Sequence, residues 1–315
     1  MAFEDELGRD PSQPRDDDQD YRLSSTGLIA RTIDVWIKNL IQYILIIGVI
    51  SAVLIGVSYA LLFVLFGLGT SVSSDPISYI LNMFLFDSTI DWSVFTVSFA
   101  FGWVMFIINA ILGGAVIKFA LDSYGRIGGD ISASFRHAIS RVLTIIIFQI
   151  IMAIIVAIIT LPGLYYTNLA LDTIGSIDPY NPVFPPGSIE TLMTAMVLLL
   201  GGTLILLIIQ TKLAPVLAVI IDTDLSATEA IRRGWKLTGG HFLHVFAAQI
   251  LLAIVIAVFG IGISMGVGIV TGVTEIGLLV EAIALALITS PLSFIFGVIL
   301  YRDLLSREAT SDQTW

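Results

Sequence analysis

His241 and His244 stand three residues apart, a spacing that puts both imidazoles on one face of a helix. Two such rings could begin a metal centre. A complete one needs further ligands and second-shell partners for the outer ring nitrogens. The flanking sequence offers no His-Glu-x-x-His pattern, and the third histidine, His137, is far away in the chain. Interfacial side chains are therefore the expected role, and no metal is expected. The chain has no cysteine, which removes disulfides, thiolate metal sites and cysteine nucleophiles. No nucleophile, base and metal come together anywhere, so neither an enzyme nor a cofactor is expected.

Other polar residues interrupt long apolar runs. Lys118 sits near the end of one and can snorkel to its edge. Lys212 lies in another, and two arrangements are open for it. If the helix continues to Ile221, Lys212 is inside the span and binds an anionic headgroup or pairs with Asp222 or Asp224. If the span ends near Gln210, Pro215 breaks the helix and Leu213 to Ile221 packs at the interface. Asn109, Gln149 and Gln210 read as interhelical hydrogen-bonding groups, with a polar cavity at Asn109 and Gln149 as the alternative. Gly128-Gly129-Asp130 is similar to an intramembrane aspartyl protease motif but lacks its first glycine. It also falls between apolar runs, so no proteolytic role is expected. Gly260, Ser264, Gly268 and Gly272 recur every four residues, and Gly262 and Gly266 add a parallel pair. Such a small-residue face lets helices approach closely, inside the bundle or along a homodimer seam.

The elements that position these groups are apolar helices. Hydrophobic residues make up 57% of the chain and charged residues 13%, against about half and a quarter in a soluble domain. Six apolar stretches are long enough to cross a bilayer, which takes about 20 residues. They run from about Leu40 to Leu68, Ser93 to Leu121, Val142 to Leu161, Thr191 to Gln210, Phe242 to Val270 and Ala282 to Tyr301. Their length and lack of alternation exclude barrel strands. Trp36, Tyr43, Trp92, Tyr165, Tyr166 and Tyr301 lie at their ends, where headgroups favour aromatic rings. Asp178 to Gly187, reading DPYNPVFPPG, should be an irregular loop.

Lys and Arg alternate with these stretches. The gaps from about Gly69 to Trp92, Pro162 to Glu190 and Thr271 to Glu281 contain none of the 15 basic residues. Basic loops mark the cytoplasmic side. The expectation is a multi-pass protein of the cytoplasmic membrane with both termini inside. The net charge of -10 suggests a salt-adapted organism such as a halophilic archaeon. Residues 1–22 read as an acidic disordered tail and 309–315 as a short C-terminal tail, leaving 23–308 as the membrane domain.

Three basic segments look alike. Each precedes an odd-numbered stretch, starts near Ser or Thr and has helical periodicity. Ile29, Ile33, Trp36, Ile37 and Leu40 line the first, with Arg31, Asp34 and Lys38 opposite and Ser24, Ser25 or Thr26 as its cap. Ile131, Phe135, Ala138, Ile139 and Val142 line the second, against Arg136 and Arg141. Ile231, Trp235, Thr238 and Phe242 line the third, against Arg232, Arg233 and Lys236. Helices of this kind lie in the inner interface with their basic side chains on headgroups. The order of interfacial helix, span, outer loop and span occurs three times, which suggests a threefold repeat of helix hairpins.

Gln210 to Leu243 is the most distinctive text. Pro215, Asp222, Ala230, Arg233-Gly234-Trp235-Lys236-Leu237 and Gly240 stand in an order that resembles the membrane domain associated with glycerophosphoryl diester phosphodiesterases. Tyr301, Asp303 and Arg307 resemble that family's ending, and the likeness runs from about Ser24 to Glu308. Some relatives carry a metal-bound phosphodiesterase barrel, for which these 315 residues leave no room. The resemblance thus implies a membrane domain without that activity. The chain as a whole reads as an all-α polytopic membrane protein with six transmembrane helices and three cytoplasmic amphipathic interfacial helices. Its expected role is non-enzymatic contact with anionic lipids or a membrane protein partner, a homodimer included, and no nucleic acid. The alternative is a transporter or permease for a lipid-like or amphipathic solute.

Overall fold

The computed structural model describes residues 21–48, 55–57, 92–125, 128–175, 187–271 and 275–311. Every regular element among them is helical. In chain order they are α1 (Ser25–Lys38), α2 (Leu40–Tyr43), a π-helical turn (Ile44–Gly48), α3 (Trp92–Tyr124), α4 (Ile131–Gly175), α5 (Ser188–Leu213), α6 (Val216–Asp222), α7 (Ala227–Gly239), α8 (Phe242–Thr271) and α9 (Glu275–Ser311).

Among the described residues five helical stretches are long and apolar enough to cross a membrane: Ala100–Tyr124, Ile131–Ala170, Ser188–Asp222, Phe242–Thr271 and Gly277–Ala309. Their outward faces are apolar, with Val197, Leu200 and Leu204 exposed on α5 and Val258, Ile261 and Met265 on α8. Surfaces of this kind on a soluble protein would associate, whereas lipid covers them at no cost. This is the architecture of an all-helical, multi-pass membrane protein. The stretch expected from Leu40 to Leu68 lies mostly outside the described residues.

Helix α1 forms as expected but turns a different face inward. Ser24 caps it, its hydroxyl accepting the Gly27 N–H at 3.0 Å. The buried stripe is Leu28, Ile29, Thr32, Val35 and Trp36, and Ile37 is exposed. Thr32 can be buried because its hydroxyl bonds the Leu28 carbonyl at 2.7 Å, leaving only its methyl to pack. Trp36 and Tyr43, expected at headgroup level, are core residues instead. Trp36 packs edge-on to Phe259, and Tyr43 meets Phe119 at 5.3 Å between centroids.

The second amphipathic segment is not a separate helix. Ile131 to Val142 forms the first turns of α4, because no glycine or proline interrupts the run into the apolar stretch. Ile139, expected on its apolar face, is exposed, and Ala138 and Ser134 are buried. The Gly128-Gly129-Asp130 motif has a local structural use. Gly128 takes φ +83, and Asp130 caps α4 by accepting the Ser132 N–H at 2.8 Å. Helix α4 also continues past Pro162 to Gly175, further than the expected end at Leu161. Of the loop expected from Asp178 to Gly187, only Gly187 is described, with φ +87 at the start of α5.

The chain divides into two compact units. One comprises Met1–Arg22, Leu143–Gln249 and Leu300–Trp315. Within it α4 and α5 meet through two glycines. A Cβ on Gly163 would strike the Leu199 side chain, and one on Gly202 would crowd Ile159 at 3.2 Å. Each helix thus supplies a small residue where the other's side chain comes close. The other unit comprises Leu23–Val142 and Ile250–Ile299. There Gly113 admits the Phe294 ring, and a Cβ at Gly113 would lie 2.9 Å from it.

Candidate functional site

The first unit gathers most of the distinctive residues between Gln210 and Glu308. Its geometry begins at Pro215. Proline has no N–H to continue the helical ladder, so α5 stops at Leu213 and α6 restarts at Val216. Ala214 and Pro215 form a short break between α5 and α6 inside one apolar stretch, Ser188–Asp222, and Lys212 stands just before that break. Val216, Val219 and Ile220 are fully buried beyond the break. Carbonyls freed near such a break need other donors. The Thr238 hydroxyl of α7 lies 3.0 Å from the Lys212 carbonyl, so α7 ties down the end of α5. Nearby, Thr211 Oγ1 lies 2.8 Å from Gln249 Oε1 and joins α5 to α8.

Helix α7 is sharply bounded. The Ser226 hydroxyl accepts the Glu229 N–H, and the Glu229 carboxylate accepts the Ser226 N–H at 2.9 Å, a reciprocal capping box. These hydrogen bonds from Ser226 hold the Glu229 carboxyl below the usual carboxylate range. Gly239 and Gly240 end the helix before α8. The buried face is Ala227, Ala230, Gly234, Leu237 and Thr238, and of the expected Ile231, Trp235, Thr238 and Phe242 line only Thr238 is buried. Small residues win that face because α6 comes so close. A Cβ on Gly234 would collide with Val216 Cγ2.

The end of α9 forms a polar lock against three neighbouring elements. The Tyr301 hydroxyl donates to Asp222 Oδ2 at 3.0 Å, and Arg302 reaches Asp222 Oδ1 at 3.4 Å, fixing α9 to the end of α6. Arg233 of α7 forms a two-pronged pair with Glu308, one prong at 2.7 Å. Asp303 is fully buried and faces His244 Nε2 at 3.0 Å, while Arg307 Nε donates to its Oδ2 at 2.9 Å. Asp222, Arg233, Tyr301, Asp303 and Arg307, each singled out in the sequence, all lie in this one lock.

His241 lies just before α8, half-buried beside the lock. Burial, then the charges of Arg307 and His244, push its imidazole below its ordinary value, with Asp303 pulling the other way. Among the described residues no group of three His, Cys, Asp or Glu is placed to hold a metal.

The opposite side of α7 is uncovered among the described residues. Arg232, Trp235 and Lys236 are exposed, Trp235 by 47%. No carboxylate among the described residues lies within ion-pair distance of Arg232 or Lys236. Arg233, expected beside them, faces inward to Glu308 instead. Lys212 extends toward the open side, its Nζ 5.6 Å from the Trp235 ring centroid and 5.5 Å from that of Phe242.

The other candidates are dispersed. Arg31 lies 3.6 Å from Asp34 and stacks over Tyr124 at 5.3 Å, and Lys38 pairs with Asp34 at 2.9 Å. Arg136 is exposed on α4, and Arg141 is half-buried. On α8, Gly260 faces Leu285 across an ordinary 3.7 Å contact, and Ser264 donates to Glu281. Gly262, Gly266 and Gly268 have nothing within 4 Å of an added Cβ, and Gly272 lies outside the described residues. Asn109 is exposed on α3, and Gln149 Oε1 is buried without a hydrogen-bond partner. Glu308 and Gln249 escaped the sequence reading, and Thr238 was read only as part of an apolar line, since their partners lie 75, 38 and 26 positions away and leave no local pattern.

The class defined by this fold is the helical multi-pass membrane protein. Comparison with protein-family models, curated proteins and solved structures finds no match to the chain.

Proposed function

We propose that this is a non-enzymatic protein of the cytoplasmic membrane that holds α7 in the inner interface as a contact surface for anionic lipids. The carrying observation is the division of α7's cations. Arg233 is neutralised inward by Glu308, while Arg232 and Lys236 stand outward with no carboxylate among the described residues within ion-pair distance. An exposed tryptophan lies between them. Each basic side chain near an anionic leaflet contributes about 1 kcal/mol, so the pair contributes about 2 kcal/mol. The one-sided distribution of Lys and Arg supports six spans with both termini inside, the first of them at 40–68. The recurring order of basic segment and apolar pair supports a threefold ancestry.

The test uses the full chain purified in detergent and mixed with equal amounts of phosphatidylglycerol and phosphatidylcholine. Native mass spectrometry should show preferential retention of phosphatidylglycerol, and Arg232→Gln with Lys236→Gln should reduce that preference. Equal retention of the two lipids by the unaltered protein would sink the reading. Orientation is tested separately. The chain has no cysteine, so Thr228→Cys gives a single label site on α7. It should react with an impermeant maleimide only when the inner face is accessible.

A further inference from the structure

The outer face of α7 ends at a site with a different character. Lys212 lies in the last turn of α5, and its carbonyl shares the Thr238 hydroxyl, 3.0 Å away, with the Gly234 carbonyl at 2.9 Å. Its ammonium therefore emerges from a fixed point. It lies over two rings from two elements, Trp235 of α7 at 5.6 Å and Phe242 of α8 at 5.5 Å. Ring faces attract a cation through their quadrupoles but carry no net charge. No carboxylate among the described residues lies within ion-pair distance of the ammonium. Asp222, one partner that the sequence offers it, is engaged by Tyr301 and Arg302. Leu243, the residue after Phe242, is 78% exposed and stands at the start of an apolar helix.

We propose that Lys212, framed by Trp235 and Phe242, binds the phosphate of one anionic lipid and retains it in a one-to-one complex. The inference rests on α7 lying in the membrane interface, and it adds a defined site to that diffuse contact. The rings are already occupied by the lysine ammonium, so a choline group has no aromatic cage to enter. The complementary ligand is an anion, and a phosphate monoester or diester oxygen suits a compact ammonium. Leu243 and the Trp235 ring give the attached acyl chain an apolar surface beside the phosphate. A free phosphate ion would gain nothing from them.

The experiment is native mass spectrometry of the full chain with phosphatidylglycerol, under collisional activation that strips loosely held lipid. The unaltered protein should keep one phosphatidylglycerol. Lys212→Gln should lower that occupancy about fivefold to tenfold, the loss expected for one anion contact, and Lys212→Arg should restore it. Arg232→Gln with Lys236→Gln should shed the loosely held lipids and keep the last one. Full retention by Lys212→Gln, in protein with the thermal unfolding of the parent, would overturn the site while leaving the α7 contact standing. Loss of loosely held lipid preference in every sample, with the last lipid still dependent on Lys212, would overturn the α7 reading and leave the site. An excess of inorganic phosphate should leave the bound lipid in place. Its displacement by a phosphate adduct would overturn the assignment to lipid.

Discussion

Asp303→Asn is the substitution that asks most of the polar lock. Asp303 is fully buried, and two cationic or protonatable groups lean on it, Arg307 at 2.9 Å and His244 at 3.0 Å. Asparagine keeps the shape and removes the charge. Breaking a fully buried ion pair from one side costs about 3–5 kcal/mol, because the remaining charge is stranded. The Arg307 and His244 side chains keep 24% and 17% of their exposure, so both can turn partly to water. The expected cost is therefore at the low end, about 3 kcal/mol. Arg307→Gln removes one charge-assisted hydrogen bond and leaves His244 in place, and should cost about 1.5–3 kcal/mol. The double variant should cost less than the sum, since both changes remove the same contact. Unfolding by SDS in mixed micelles gives all three values. Asp303→Asn within about 0.5 kcal/mol of the parent would place it among ordinary surface substitutions and refute the lock.

Three further outcomes follow from the same unit. Gly234→Ala adds a methyl where Val216 already sits, and should destabilise the protein by about 1–3 kcal/mol in the same titration, with Gly239→Ala as the open-space control. Ser226→Ala removes the capping box of α7 and should cost about 1 kcal/mol while raising amide exchange in the first turn of that helix. His241 has an imidazole held below its ordinary value of 6.5 by burial, Arg307 and His244, with Arg22 acting the same way and Asp303 opposing. The unfolded chain then takes up the proton first, so its contribution to stability is lost as pH falls through 6.5 toward the folded value. Unfolding midpoints measured across that window should drop toward acid, and His241→Gln should flatten the drop.

Much of the helical layout was legible because apolar length and breakers act locally. The helix break at Pro215 and the Ser24 cap of α1 are both local signals that the sequence displays. Which face each short helix buries was not legible. Periodicity favours the large side chains Ile37, Ile139 and Trp235, yet all three are exposed. Close approach between helices selects small residues instead, Gly234 against Val216 and Gly163 against Leu199. A lipid-facing surface tolerates large apolar groups outside, so in this chain size does not mark the core. The same logic explains the small-residue repeat on α8, of which Gly262, Gly266 and Gly268 stand open. The polar lock was half legible. Asp222, Arg233, His244, Tyr301, Asp303 and Arg307 were singled out one by one, but Arg302 and Glu308 were not, and the pairing of Arg233 with Glu308 and of His244 with Asp303 depends on distant helices meeting.

The position of α7 in the interface can be read from Trp235. A variant with Trp235 as its single tryptophan, the other four replaced by Phe, is placed in bilayers containing lipids with brominated acyl chains. Bromine quenches only rings that it touches. Strong quenching of Trp235, greater with brominated phosphatidylglycerol than with brominated phosphatidylcholine at equal content, is the predicted result. Fluorescence that is unchanged by either lipid and quenched by aqueous iodide would put α7 in water and contradict the account.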